Sequence, residues 1–258
     1  MCLLVLAWRA HPRYQLVVAA NRDEFHARPT SPLSVWTDPP GLLAGRDLRA
    51  GGTWLGVAEG AQNLPGSPAF AFGAITNFRE QGADQHSGPS RGGLIPEFIR
   101  GGDAPSDFFA AIEPHAGRYA GFNLLLARGK QLWYASNRTQ VFARALTPGI
   151  YGLSNHTLDT PWPKLERIRA GFGELLSRHA DDLNPARLFT LLDQREVTPA
   201  DASWEEVLAA PFVVHPTYGT RSSTVVLAGM TGEVSITERR FDSAGQPIGQ
   251  SVLGTAHA

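Results

Sequence analysis

The 258-residue chain is predicted to fold as an α+β layered domain. Two observations lead there. Strand-like runs open the chain, helical periodicity fills its middle, and strand-like runs close it, an order that suits layered α+β packing rather than regular βαβ repetition. The earliest strand-like runs are also apolar on both faces, the signature of strands covered on two sides. No internal repeat or linker divides the chain, so residues 1–258 are read as a single domain.

The pattern justifies each element in turn. Residues 3–8 and 14–20 are apolar runs around His11-Pro-Arg13, a β-hairpin signal. Asn21-Arg-Asp-Glu24 ends the second run, so a hairpin returns that cluster to Cys2. Residues 28–40, rich in proline, read as a turn-rich loop. Gly51-Gly-Thr-Trp-Leu-Gly56 leads into a strand. Residues 61–68 read as a surface loop, and 70–76 as a strand ending at Asn77-Phe-Arg79. Residues 81–89 are polar and aperiodic, a candidate mobile loop. Ser90 is placed to cap a helix reaching 99, and 106–112 reads as a second helix. Strands follow at 122–127, 132–136 and 150–153, with Gly129-Lys130 as a hairpin turn. Leu165, Ile168, Phe172, Leu175 and Leu176 recur at helical spacing within 161–178. Shorter helices are expected at 185–192 and 204–208. Residues 223–228 and 233–241 form a final hairpin, and the tail after 245 is expected to fray.

Composition removes several classes of function. Hydrophobic residues make up 43% and charged residues 18%, with a net charge of −1, so neither nucleic acid nor a membrane surface is indicated as partner. No apolar run approaches the roughly 18–20 residues of a spanning helix. The run at 3–8 lacks the basic flank and length of a secretory signal, and the cytoplasm is the default location. The one cysteine allows neither an internal disulfide nor a cysteine-built zinc site. Phosphate-cradling glycine loops, the GxSxG elbow and the HExxH zinc motif are absent.

Cys2 carries the sharpest chemical signal. A lone cysteine in a core strand is commonly just a small buried hydrophobe. Here, trimming of Met1 would put the thiol and a free α-amine on one residue. An α-amine titrates near 7.7–8.0 and can serve as the base for its own thiol, without histidine. Arg22 could favour the thiolate. Asp23 could orient the amine, although adjacent strand residues face opposite ways, so both reach Cys2 only if the strand breaks. A salt-bridged strand end would equally explain that cluster. Asn155 suits either an oxyanion donor or a turn cap, and Asn77 and Asn123 are weaker candidates of the same type. Arg221 stands before the penultimate strand, where a solvated loop arginine is the plain alternative.

The motifs Asn21-Arg-Asp-Glu24, Gly51-Gly-Thr-Trp-Leu-Gly56, Thr76-Asn-Phe-Arg79, Ser90-Arg-Gly, Gly121-Phe-Asn-Leu-Leu125, Tyr151-Gly-Leu-Ser-Asn155, Pro161-Trp-Pro-Lys164 and Tyr218-Gly-Thr-Arg-Ser-Ser-Thr224 occur in order along nearly the whole chain. Together with Met1-Cys2 they resemble the NRDE family, also called the transport and Golgi organisation protein 2 family. Its members are similar to N-terminal nucleophile hydrolases, and the resemblance implies a four-layer αββα sandwich. Compared with penicillin V acylases and conjugated bile acid hydrolases, Cys2 matches the nucleophile, Asn155 the oxyanion asparagine and Arg221 a late-strand arginine. Arg22 and Asp23 are adjacent here, whereas the corresponding pair in those enzymes stands three apart. The implied function is hydrolysis of a small linear amide or acyl bond, with no required cofactor and no metal. The resemblance also implies an alternative, binding and trafficking of haem or another amphipathic small molecule such as an acyl-CoA or lipid, without turnover.

Overall fold

The computed structural model describes residues 2–59, 70–80, 88–196 and 203–254. The loop expected at 61–68 lies outside them, as does most of the one expected at 81–89. In chain order the strands are β1 (Cys2–Trp8), β2 (Tyr14–Phe25), β3 (Thr30–Val35), β4 (Leu42–Asp47), β5 (Leu55–Glu59), β6 (Phe70–Asn77), β7 (Phe122–Arg128), β8 (Gln131–Ser136), β9 (Ala143–Ala145), β10 (Gly149–Leu153), β11 (Tyr218–Gly229), β12 (Val234–Phe241) and β13 (Pro247–Gly254). Helices α1 (Leu94–Gly101) and α2 (Pro105–Ile112) follow β6, whereas α3 (Pro163–Arg178), α4 (Pro185–Leu192) and α5 (Trp204–Val207) precede β11. The chain is α+β, with two antiparallel sheets.

The first sheet has the order β10-β1-β2-β11-β12-β13, and the second runs β3 to β9 in sequence. The second sheet is therefore a meander, whereas the first is assembled from both ends of the chain. Strand alternation divides the core. Leu4, Leu6, Trp8, Leu16 and Val18 meet Val57, Phe70, Phe72, Leu125 and Ala127 between the sheets. Leu3, Val5, Ala7, Val17 and Ala19 point the other way, onto Leu165, Ile168 and Phe172 of α3 and Leu188 and Leu192 of α4. On the far side Ala71, Leu124 and Leu126 pack on Leu94, Ile95 and Phe98 of α1 and Phe108 and Phe109 of α2. Both faces of each sheet are thus covered, which explains runs apolar at every position rather than at alternate ones.

Local chemistry sets the helix starts. Pro163 and Pro185 occupy first-turn positions, where a missing N–H costs nothing. Asn184 accepts the Arg187 N–H, and Ser203 with Glu206 forms a capping box. Ser90 differs from expectation. It precedes a 3-10 turn at Arg91–Gly93 without a side-chain cap bond, and α1 starts only at Leu94.

Two further expectations are corrected. The supposed loop at 28–40 contains β3, whose register shifts between Ser31 and Ser34, so Pro32 sits at an irregularity of an edge strand where no ladder N–H is demanded. The tail expected to fray is β13, paired along β12 from Phe241↔Pro247 to Ser235↔Gly254. It too is an edge strand, largely exposed, which is why it lacks an apolar signature. No helix among the described residues is long and apolar enough to cross a membrane.

Candidate functional site around Cys2

Cys2 opens β1, and its register partner in β2 is Arg22. The pleat gives Cys2 the face shared by Leu4 and Leu6, and Arg22 the face shared by Val18 and Ala20, so both look between the sheets. β2 does not break at the charged cluster. It continues to Phe25, and the irregularity falls on β11, between Thr220 and Ser222. Asn21 therefore faces the helices, donating to the carbonyls of Leu192 and Pro211. The Asp23 carboxylate is held on that side by the Thr220 hydroxyl at 2.7 Å, and the Tyr218 hydroxyl donates to the Asp23 carbonyl.

The Cys2 backbone nitrogen donates to Asn155 Oδ1 at 2.8 Å. Asn155 lies just beyond β10, in the left-handed region at φ 56°, a conformation asparagine tolerates better than most side chains. Its Nδ2 donates to the Asn77 carbonyl at 2.8 Å, and its own carbonyl accepts the Arg79 N–H at 2.8 Å. Asn155 thus ties the end of β6 in one sheet to the start of β1 in the other.

Cys2 as a whole residue is half-buried. Burial pushes its pKa above the usual thiol range; the Asp23 charge adds to this and the Arg22 guanidinium opposes it. Arg22, only 6% exposed, stacks over the Trp54 ring at 4.2 Å. Arg22 and Arg28 share two carboxylates: Arg22 lies 3.7 Å from Glu24 and 3.8 Å from Asp47, and Arg28 lies 3.7 Å from Glu24 and 2.6 Å from Asp47. Burial also raises Asp23, against the pull of its Thr220 hydrogen bond and of Lys164 and Arg22. Lys164, in the first turn of α3, is itself lowered by burial, and its Nζ donates to the Leu208 carbonyl at 2.6 Å.

The thiol opens into a cleft of about 110 Å³ lined by Arg22, Glu24, Asp47, Trp54 and Arg91 among others. A second hollow of about 330 Å³ shares Asn77 and Arg91 with it and adds Asn155, Phe25, Phe78 and Trp204. A third, of about 300 Å³, joins the second at Arg79 and Leu208 and reaches Trp162 and Lys164. Two glycine motifs hold this rim. Thr53 N–H donates to the Gly92 carbonyl at 3.0 Å, and a Cβ on Gly52 would stand 2.3 Å from that carbonyl group. Only glycine allows the two backbones so close, and their contact fixes Arg91 at the cleft.

The chain matches the family model described as Transport and Golgi organisation 2 over residues 1–243. It belongs to that family. It is 31% identical over 265 residues to the transport and Golgi organization 2 homolog of Mus musculus, covering 93% of this chain and 92% of the relative. The Homo sapiens homolog gives the same identity and coverage. The Drosophila melanogaster transport and Golgi organization protein 2 is 23% identical across 92% of this chain and 91% of its own.

Of the residues singled out in the family motifs, the structure gathers Cys2, Arg22, Asp23, Asn77 and Asn155 at one end of the two sheets. Arg221 is placed differently. It is the extra residue where β11 shifts register, and its Nη1 donates to the carbonyls of Phe25, His26 and Arg28, so it braces the turn after β2 and does not line the Cys2 cleft. Asn123 belongs to a buried network with Thr76 and the Tyr134 hydroxyl. Sequence reasoning assigned no role to Arg91, Trp54, Asp47 or Lys164. The signal for Arg91, Trp54 and Lys164 was their place inside the quoted motifs; Asp47 becomes legible only through long-range packing. Among the described residues no group of three or more His, Cys, Asp or Glu is arranged to hold a metal.

Proposed function

We propose that the chain is an N-terminal cysteine hydrolase of linear amide or acyl bonds, built on a four-layer αββα sandwich of the N-terminal nucleophile type. The observation that carries this reading is the 2.8 Å contact between the Cys2 nitrogen and Asn155 Oδ1, beside a thiol that opens into a polar cleft. On a chain trimmed of Met1, that nitrogen is the α-amine. Asn155 then fixes its rotation by accepting one N–H, and Asp23 adds negative charge nearby.

The α-amine takes the thiol proton, and the sulfur attacks the substrate carbonyl carbon. Asn155 has one N–H committed to the Asn77 carbonyl. Its second N–H, with the Asn77 side chain, is available to the tetrahedral oxyanion. The α-ammonium returns its proton to the leaving amine as the C–N bond breaks. Water, deprotonated by the same amine, then hydrolyses the thioester, releases the acid and restores the thiol. Arg22 favours the thiolate against its burial. Every proton transfer uses Cys2 itself, so the route requires no added cofactor.

An electrophilic acyl probe followed by peptide mapping tests this. The expected result is an N-terminal peptide beginning at Cys2 and carrying the acyl adduct, lost in Cys2→Ser. An unlabelled Cys2 in folded protein would reject the assignment. Titration with haem is the companion experiment: a Soret shift abolished by Cys2→Ala, with no acyl adduct on wild type, would favour carriage of that ligand instead.

A further inference from the structure

Not every charge around the two joined hollows is ion-paired. Arg22 and Arg28 are matched by Glu24 and Asp47. The Glu80 carboxylate is engaged by Arg138. Two guanidiniums remain without a carboxylate in ion-pair contact among the described residues. Arg91 Nη1 donates to the Gly121 carbonyl at 2.8 Å, a neutral acceptor. Arg79 is anchored by its backbone N–H to Asn155, and its exposed side chain borders the second and third hollows. Arg91 borders both the Cys2 cleft and the hollow that contains Asn155. The space between the nucleophile and the amide that holds its nitrogen is therefore overlooked by two guanidiniums that have no carboxylate in ion-pair contact among the described residues. Beyond it stands an apolar wall of Phe25, Phe78, Trp204 and Leu208.

We propose that Arg91 and Arg79 form an anion-recognising subsite that selects N-acyl amino acids, amides whose carboxylate sits one carbon from the scissile nitrogen. The carboxylate lies on Arg91, with Arg79 reinforcing the field, and the apolar acyl group lies against the aromatic wall. Guanidinium suits this task because its planar fork matches a carboxylate and never loses its charge. Hydrolysis adds one water across the C–N bond and releases the acyl acid and the free amino acid. The substrate class rests on the hydrolase reading, but recognition of the ligand does not.

The test therefore reads binding first. Cys2 is alkylated with iodoacetamide in the full chain, and protection is followed by mass spectrometry. The competing ligands are N-phenylacetylglycine, its neutral primary amide and the matching aminomethylphosphonate. The carboxylate is expected to protect at a concentration about tenfold or more below the neutral amide, the usual scale for a charge-assisted pair. Arg79→Met, at an exposed side chain with no hydrogen bond among the described residues, should erode that preference. Arg91→Met should abolish it, and Arg91→Lys should restore part of it while guarding against misfolding as the cause. Equal protection by the neutral amide, or a preference untouched by both substitutions, overturns the proposal. Tighter binding of the phosphonate overturns the amino-acid assignment and points to a phosphate group. Arginine-dependent protection without turnover would sustain the subsite and defeat the hydrolase. Turnover indifferent to charge would do the reverse.

Discussion

Cys2 and Arg22 face each other while Asp23 does not, and the cause is the two-residue period of a strand. That period is legible in the residue order alone. Whether β2 would break to bring both charges to the thiol is not, and β2 stays regular because the extra residue is absorbed by Arg221 across the ladder. Arg221 is accordingly the residue whose environment the motifs described least well. Cys2→Ser is expected to abolish acyl labelling while leaving the unfolding free energy within about 1 kcal/mol, since the substitution is nearly isosteric and the residue is only half-buried. Asn155 serves two purposes that can be separated. Asn155→Gly keeps the left-handed backbone but loses both side-chain hydrogen bonds, and should slow turnover by about 10²–10³ at a stability cost of about 1–3 kcal/mol. Asn155→Leu should lose the same activity and add about 1–2 kcal/mol of backbone strain, seen in denaturant titration. Asp47 governs the acid limb. Burial is the largest single influence and opposes its ionisation, but the Arg28 hydrogen bond and charge, together with the Ala50 and Arg49 N–H groups, outweigh it and hold the carboxyl below the usual range. A depressed folded value means stability present above the unfolded pKa of about 3.9 and lost as pH falls through the folded one. Asp47→Asn should therefore flatten stability against pH below about 4, and an unchanged acid limb would remove Asp47 from that role.

The elements divide by how much water they see. The β1–β2 hairpin and α3 announce themselves because buried faces impose periodicity, and the structure puts them close to where the pattern did. β3 and β13 were missed because edge strands carry prolines, polar residues and exposed faces that read as loop or tail. The clasp between the Gly52 and Gly92 segments is a different kind of omission. Each motif was visible, but a contact across forty residues of chain leaves no local trace. Gly52→Ala should drive the 91–93 turn away from the cleft, lowering the denaturation midpoint and weakening Cys2 labelling together. Gly93→Ala is the control, since a Cβ there meets nothing within 4 Å. Equal effects of the two substitutions would mean that the clasp does not position Arg91.

At the scale of the molecule, the first sheet unites the two ends of the chain around β1 and β2, while the second is a simple meander. The start of β1, the ends of β2 and β6, Asn155 two residues beyond β10 and the start of β11 meet at one rim, so the cleft depends on both sheets keeping their separation. The order of strands and helices made the α+β class legible. It did not reveal which strands pair, because nothing local in β10 shows that Leu153 will lie beside Leu4. Phe72, fully buried between the sheets, reports on that spacing. Phe72→Ala should cost about 3–5 kcal/mol in urea unfolding, and a loss well below that range would mean that the inter-sheet core is looser than its packing indicates.

The most direct single measurement is the mass of the N-terminal peptide after the purified chain meets an electrophilic acyl probe. A free Cys2 amine beside an acylated sulfur is the expected result. Retained Met1 on folded protein, with the thiol unmodified, would contradict the assignment of Cys2 as an N-terminal nucleophile.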